Sequence, residues 1–139
     1  MIEHSSLSFL FITDRGISHE IVRHRLSSFA QESTRYCNYS NDKFDNQIKV
    51  IFPNKERLLK NKEIWEEAIL ASEKAYLDLI ESGVSPQIAR SVLPNALKTE
   101  IVMTANFREW LHFIELRTSK EAHPQIRELA DQILEIFKE

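Results

Sequence analysis

The chain has 139 residues, 42% of them apolar and 28% charged, with a formal net charge of −3. That balance describes a globular chain able to bury a real core, and it excludes both a disordered segment and a nucleic-acid-binding surface built on overall charge. The single cysteine, Cys37, excludes an internal disulfide and points to a reducing, cytoplasmic setting. The only glycines, Gly16 and Gly83, exclude GxGxxG and the P-loop by counting, so any nucleotide must be held by other means.

Residues 5–14 alternate as a largely buried strand, with Leu7, Phe9 and Phe11 facing one way and Leu10 and Ile12 the other. The apolar run Phe9–Ile12 is too short to span a bilayer, and Met1-Ile2-Glu3-His4 lacks the basic start and apolar core of a secretory signal. Asp14-Arg15-Gly16 reads as a turn. A helix is expected from about Ser18 to Leu26, with Ile17, Ile21 and Val22 against the core. His19 and His24 do not make a zinc helix. They are five apart, about 140° out of register at 3.6 residues per turn, and no Cys/His set completes a site, so no metal is expected.

The segment Arg23-His24-Arg25-Leu26-Ser27-Ser28-Phe29-Ala30-Gln31-Glu32-Ser33-Thr34-Arg35-Tyr36 is the chemically loaded stretch. Guanidinium forks grip phosphate bidentately, and hydroxyls and amides read a ring edge, so the mixture suits an anionic, partly aromatic ligand. Its bland alternative is a basic helix end running into a solvated turn.

Residues 37–47 are turn-rich and polar, and Ile48, Val50 and Phe52 alternate like a short strand before Pro53. A long amphipathic helix follows from about Asn61 to Ser82, with Trp65, Ile69, Ser72, Tyr76 and Ile80 in one stripe and Gly83 as its C′ residue. Ser85-Pro86 starts a short helix carrying Arg90 and ending near Pro94. Residues 98–104 read as a second principal strand. Asn106 caps the next helix, Glu109 at N3 completes a capping-box pattern, and Phe107, Trp110, Leu111 and Ile114 form the apolar stripe. Arg108 and His112 share another face, and Arg117 ends the helix, where a cation also relieves the dipole. His123-Pro124 opens a last helix, with Ile126, Leu129, Ala130, Ile133, Leu134 and Phe137 inward. The pattern predicts one domain over residues 1–139, of mixed α/β (α+β) class: an antiparallel or mixed sheet packed with several helices, one long and amphipathic.

The loaded stretch fits RHRxxSxxxxSxRY and resembles the signature of the flavin-dependent thymidylate synthases, the thymidylate synthase-complementing proteins. Ala89-Arg90-Ser91-Val92-Leu93-Pro94, Asn106-Phe107-Arg108-Glu109-Trp110-Leu111-His112-Phe113, Leu116-Arg117 and Ala122-His123-Pro124-Gln125-Ile126-Arg127 also resemble this family, in its order. The resemblance implies an enzyme that reductively methylates dUMP to dTMP with FAD as cofactor and 5,10-methylenetetrahydrofolate and NADPH as co-substrates. It implies FAD contacts from Arg23, His24, Arg25, Gln31, Asn106, Arg108 and His112. It implies dUMP contacts from Glu20, Arg23, Gln31, Glu32, Ser33, Thr34, Arg35, Arg90 and Arg117, with Arg117 as the catalytic cation beside the uracil ring. It further implies a homotetramer whose partners are small molecules, with no nucleic acid and no membrane, and leaves Cys37 an incidental thiol.

Two departures accompany the resemblance. Some members carry Asn-Glu where this chain has Ala30-Gln31, with the acid displaced to Glu32. The chain also starts at a point matching the interior of the family domain, which would leave an exposed sheet edge. The alternative to a working enzyme is therefore an inactive or partial member that binds nucleotide or flavin, or serves as a subunit.

Overall fold

The computed structural model describes residues 1–35, 38–40, 46–53 and 55–139; Tyr36, Cys37 and the middle of the turn-rich segment lie outside the described residues. In chain order the elements are β1 (Ser6–Asp14), α1 (Arg15–Ile21), β2 (Ser28–Gln31), α2 (Glu56–Leu59), α3 (Lys62–Glu81), α4 (Pro86–Ala89), β3 (Lys98–Asn106), α5 (Phe107–Arg117) and α6 (Pro124–Lys138). They form two compact units, Met1–Gln31 with Thr99–Glu139, and Glu32–Lys98. The expected mixed class, with a small sheet, several helices and one long helix, is what forms.

In the first unit β3 is the middle strand of a three-stranded sheet of order β1-β3-β2. β2 runs antiparallel to it, with Ser28 opposite Thr104 and Gln31 opposite Ile101. β1 runs antiparallel on the other side: Ser8 Oγ meets Thr104 Oγ1 at 2.7 Å, and the Phe107 amide donates to the Ser5 carbonyl at 3.2 Å. Thr99, Ile101, Met103 and Ala105 alternate inward along β3, the period-two pattern of a half-buried strand. The α5 and α6 stripes cover that face through Trp110, Phe113, Ile126, Ala130 and Ile133. The Trp110 ring meets Phe9 edge to face at 4.9 Å, and its indole N–H donates to the Leu7 carbonyl at 3.0 Å. Each fully buried aliphatic or phenyl side chain here contributes about 1.5–3 kcal/mol relative to exposure.

Several boundaries differ from expectation for identifiable reasons. β1 is buried on one face only, because Leu10 and Ile12 on the other stand exposed. Asp14-Arg15-Gly16 is not a free turn. The Asp14 carboxylate accepts from the Ile17 amide at 2.8 Å and caps α1, so the helix starts three residues early. It also ends early, at Ile21. The Arg23 and His24 amides then bond to Glu20 and Ile21, a tightened last turn that leaves Val22 exposed and carries the chain out of the helix. On α5 the buried set is Glu109, Trp110, Phe113 and Ile114, whereas Leu111 faces solvent. Asn106 Oδ1 accepts from the Glu109 amide at 2.9 Å as a cap should, but the Glu109 carboxylate turns to His24 instead of closing a capping box.

The second unit is organised by α3, whose Tyr76 is fully buried with Ile69, Leu79 and Ile80 beside it. The helix closes as expected at Gly83, which has φ of 86°. The Val84 amide bonds to Leu79 O at 3.0 Å and the Gly83 amide to Ile80 O at 2.9 Å, the paired bonds of a Schellman end. The expected 48–52 strand is reduced to one antiparallel bridge, Val50 with Leu97. Ser85 precedes Pro86 at the start of α4, and a 3-10 turn at Arg90–Val92 follows. The short helix α2 was not foreseen.

Candidate functional site

The first unit gathers an ionic chain from residues far apart in sequence. Arg117, at the end of α5, is aimed back toward the end of α1. Its Nε donates to His24 Nε2 at 2.9 Å, Nη1 to Glu20 Oε2 at 2.9 Å and Nη2 to the Glu20 carbonyl at 3.1 Å. His24 is buried at 4% exposure, tilted against Phe113 with ring centres 4.8 Å apart and edge-on to His112 at 6.1 Å. On its far side Nδ1 lies 3.4 Å from Glu109 Oε1.

The directions of these bonds fix the ring's protonation. A guanidinium N–H can only donate, so His24 Nε2 must accept and the ring proton resides on Nδ1, toward Glu109. Burial lowers the His24 pKa below its ordinary 6.5, and the Arg117 charge lowers it further. The Glu109 bond and charge oppose that, and His112 adds to the lowering. Neutral His24 is thus the state that holds Arg117. With three of a guanidinium's five donors engaged, two have no partner among the described residues and could serve a ligand.

The expected flavin residues of this unit divide between surface and interior. Arg23 and Arg25 are exposed, and His24 between them is inward. Asn106, Arg108 and His112 line an open groove of ≈ 540 Å³ with Glu3, Leu26 and Glu109. Leu26 is 80% exposed, an apolar side chain standing beside the Arg108 cation and the His112 ring. Arg108 bonds to Glu3, an exposed pair of the kind worth ~0–1 kcal/mol and readily exchanged. Arg25, Ser27, Ser28 and Asn106 line a second groove of ≈ 400 Å³, where Ser27 Oγ is buried without a hydrogen-bond partner among the described residues. An apolar platform with a cation, and a hydroxyl-bearing groove with an orphaned buried oxygen, suit the ring and phosphate parts of a dinucleotide such as FAD.

Gln31 is engaged within the fold. Its amide nitrogen donates to Ser18 Oγ at 2.8 Å and to Thr99 Oγ1 at 3.2 Å, so it ties β2 to α1 and β3.

In the second unit, Thr34 and Arg90 come together. The Thr34 residue is 6% exposed, and its Oγ1 accepts from Arg90 Nη1 at 3.1 Å. Ser33 Oγ accepts from the Arg35 amide at 3.3 Å, turning the chain sharply, and Glu32 lies 3.9 Å from Lys98. Arg35 is exposed. Arg90 is thus joined to Thr34, next to Ser33 and Arg35 in the chain, a combination of guanidinium and hydroxyl groups of the kind that grips phosphate.

Glu109 is the buried acid beside His24 that sequence reasoning placed only as part of a capping box. The available signal was its position four before Phe113, which puts a carboxylate on the core face of α5. A buried acid requires a partner.

Among the described residues no helix is long and apolar enough to cross a membrane. The family model described as thymidylate synthase complementing protein matches residues 1–139. Curated relatives carry the name flavin-dependent thymidylate synthase. One from Geobacter sulfurreducens is 37% identical over 139 residues, covering 99% of this chain and 59% of the relative. One from Saccharolobus solfataricus is 37% identical, covering 99% and 52%, and one from Pyrococcus abyssi is 32% identical, covering 97% and 55%. The chain therefore spans between half and three-fifths of the length of these relatives.

Proposed function

Because the chain belongs to the thymidylate synthase complementing protein family, we propose that it takes part in the reductive methylation of dUMP to dTMP. The observation that carries this reading is the Arg117 clamp, a guanidinium held on three donors by His24 and Glu20 with two donors left over. Arg117 lies against the uracil ring and stabilises negative charge spreading from N3, which makes C5 the better nucleophile. A fixed cation does this better than water, since it needs no reorganisation as the charge develops.

In the second unit, Arg90 and Arg35, with Ser33 and Thr34, offer guanidinium and hydroxyl groups suited to a nucleotide phosphate. Thr34 holds the Arg90 guanidinium by one edge, so less rotamer freedom is lost on binding. Arg25, Asn106, Arg108 and His112 would hold FAD in the two grooves, with exposed Arg23 a further contact and the exposed Arg108–Glu3 pair able to exchange for it. When bound, FAD reduced by NADPH supplies the hydride, and methylenetetrahydrofolate supplies the one-carbon unit. The protein's own part is to orient the pyrimidine, polarise it and shield it from water. A homotetrameric assembly would build the site from several subunits.

The test is direct. The purified chain is yellow, dUMP perturbs its flavin spectrum, and hydrogen is released from C5 of dUMP in the presence of folate and NADPH. A yellow, dUMP-responsive chain that releases no C5 hydrogen is a binding subunit. A colourless chain that ignores dUMP contradicts the proposal.

A further inference from the structure

We propose that Glu109 is a positioning residue that acts through His24: it holds the ring proton on Nδ1, so that Nε2 stays free to accept from Arg117 and keep the guanidinium aimed. The inference rests on the role of Arg117 at the nucleotide proposed above. Its geometric basis is independent of any ligand.

The argument begins with the cost of an acid in that position. Glu109 is 5% exposed on α5, among Trp110, Phe113 and the sheet. A carboxylate so placed needs compensation. The first turn of α5 provides some, because backbone N–H groups there favour negative charge. The Nδ1–H of His24, at 3.4 Å, is its side-chain partner.

The ring then passes this constraint on. Imidazole has two tautomers, and only one presents a lone pair at Nε2. The other would place an N–H against the N–H of Arg117 at 2.9 Å, two donors facing each other. A protonated ring would do the same and add a positive charge beside a guanidinium. Glu109 selects against the wrong tautomer by accepting on the opposite side. Glu20 already holds the two Nη groups, one through its carboxylate and one through its backbone carbonyl, so a second carboxylate on Nε would offset the cation further. A neutral imidazole on Nε constrains the guanidinium without cancelling that charge.

The groups facing His24 are Glu109, His112, Phe113 and Arg117 on α5, with Glu20 on α1 reaching it through Arg117. Glu109 is the acid that touches the ring directly, so its removal has a signature that loss of packing does not share.

The test uses the full chain, wild type against Glu109→Gln and Glu109→Met, with two readouts. The first is the ring 15N spectrum of His24, which reports the tautomer without any ligand. The second is the affinity for dUMP as a function of pH. The wild type is expected to show the Nδ1–H ring. Glu109→Met is expected to mix tautomers and lose roughly tenfold in dUMP affinity, the scale of one charge-assisted hydrogen bond. Glu109→Gln still accepts but has lost the charge that raises the His24 pKa, so the acid limb of binding moves to lower pH.

A wild-type ring protonated on Nε2 overturns the inference. So does a folded Glu109→Met that keeps both the Nδ1–H ring and the dUMP affinity. Should Glu109→Met fail to fold, an acid limb of Glu109→Gln that stays put or moves upward overturns it. A wild type whose tautomer follows Glu109 but which binds no dUMP supports the relay and contradicts the nucleotide reading instead.

Discussion

Arg90 Nη1 donates to Thr34 Oγ1 at 3.1 Å, joining two residues 56 apart in the sequence. The hydroxyl is nearly buried and the guanidinium half-buried, so the contact fixes the cation before any ligand arrives. Thr34→Val keeps the shape and removes the acceptor. Its expected cost is about 1–2 kcal/mol in urea unfolding, with a loss in dUMP affinity of at most about tenfold. Arg90→Met breaks the same bond and leaves the nearly buried Thr34 hydroxyl unpaired, so it is expected to cost at least as much stability, with a larger loss of affinity if its planar fork holds the phosphate as proposed. Titration calorimetry and unfolding on both variants check the contrast.

Acid should weaken the fold through His24. Its folded pKa is lowered from 6.5, first by burial and then by Arg117. The unfolded chain therefore binds the proton more readily, and stability rises with pH across the interval between the two values. The contribution is fully present above 6.5, starts to be lost as pH falls below that value, and is gone once pH passes the lowered folded pKa. Urea unfolding across this range is expected to show that slope, and His24→Gln to flatten it. An unchanged slope in His24→Gln would mean that another group carries it.

Gly83 offers a clean backbone test. Its φ is 86°, and an added methyl group would meet no neighbour within 4 Å. Gly83→Ala should therefore cost only backbone strain, about 1–2 kcal/mol. Gly83→Asn should lose less, since Asn tolerates the left-handed region. Equal stability of Gly83→Ala and wild type would contradict the Schellman geometry at the end of α3.

Trp110 bonds to the Leu7 carbonyl and packs on Phe9. Trp110→Phe leaves that carbonyl without the indole donor and should cost about 1–3 kcal/mol, with a cavity contribution added. Thermal unfolding measures it, and a loss below that range would mean that water or a backbone group takes over the bond.

β1, β3, α3 and α6 were legible because their signals are local, whereas β2 was not foreseen and the 48–52 strand shrank to one bridge. Thr99, Ile101 and Met103 alternate, Ile126, Ala130 and Ile133 recur at helical spacing, and Gly83 marks a helix end that few other residues tolerate. The limits of α1 were not, because they depend on competition. Asp14 gains more as a cap than as a turn residue, and Arg23-His24-Arg25 leave the helix once His24 has an interior partner on α5. The α5 stripe was misread at Leu111 and Phe113 because periodicity does not say which of two adjacent faces the sheet will cover. The cluster of Glu20, His24 and Arg117 was legible only as a set of residue types. Its wiring was not, since the contacts of Arg117 with Glu20 and His24 span 97 and 93 residues and follow from how α5 meets α1.

The most direct measurement is of the pyrimidine itself: dUMP labelled with 15N at N3, bound to the chain and followed by NMR as pH is raised. If Arg117 stabilises the N3 anion, bound dUMP loses its N3 proton at lower pH than free dUMP, and Arg117→Lys shrinks that difference. An N3 proton that titrates in the complex as it does in free solution would contradict the role given to Arg117.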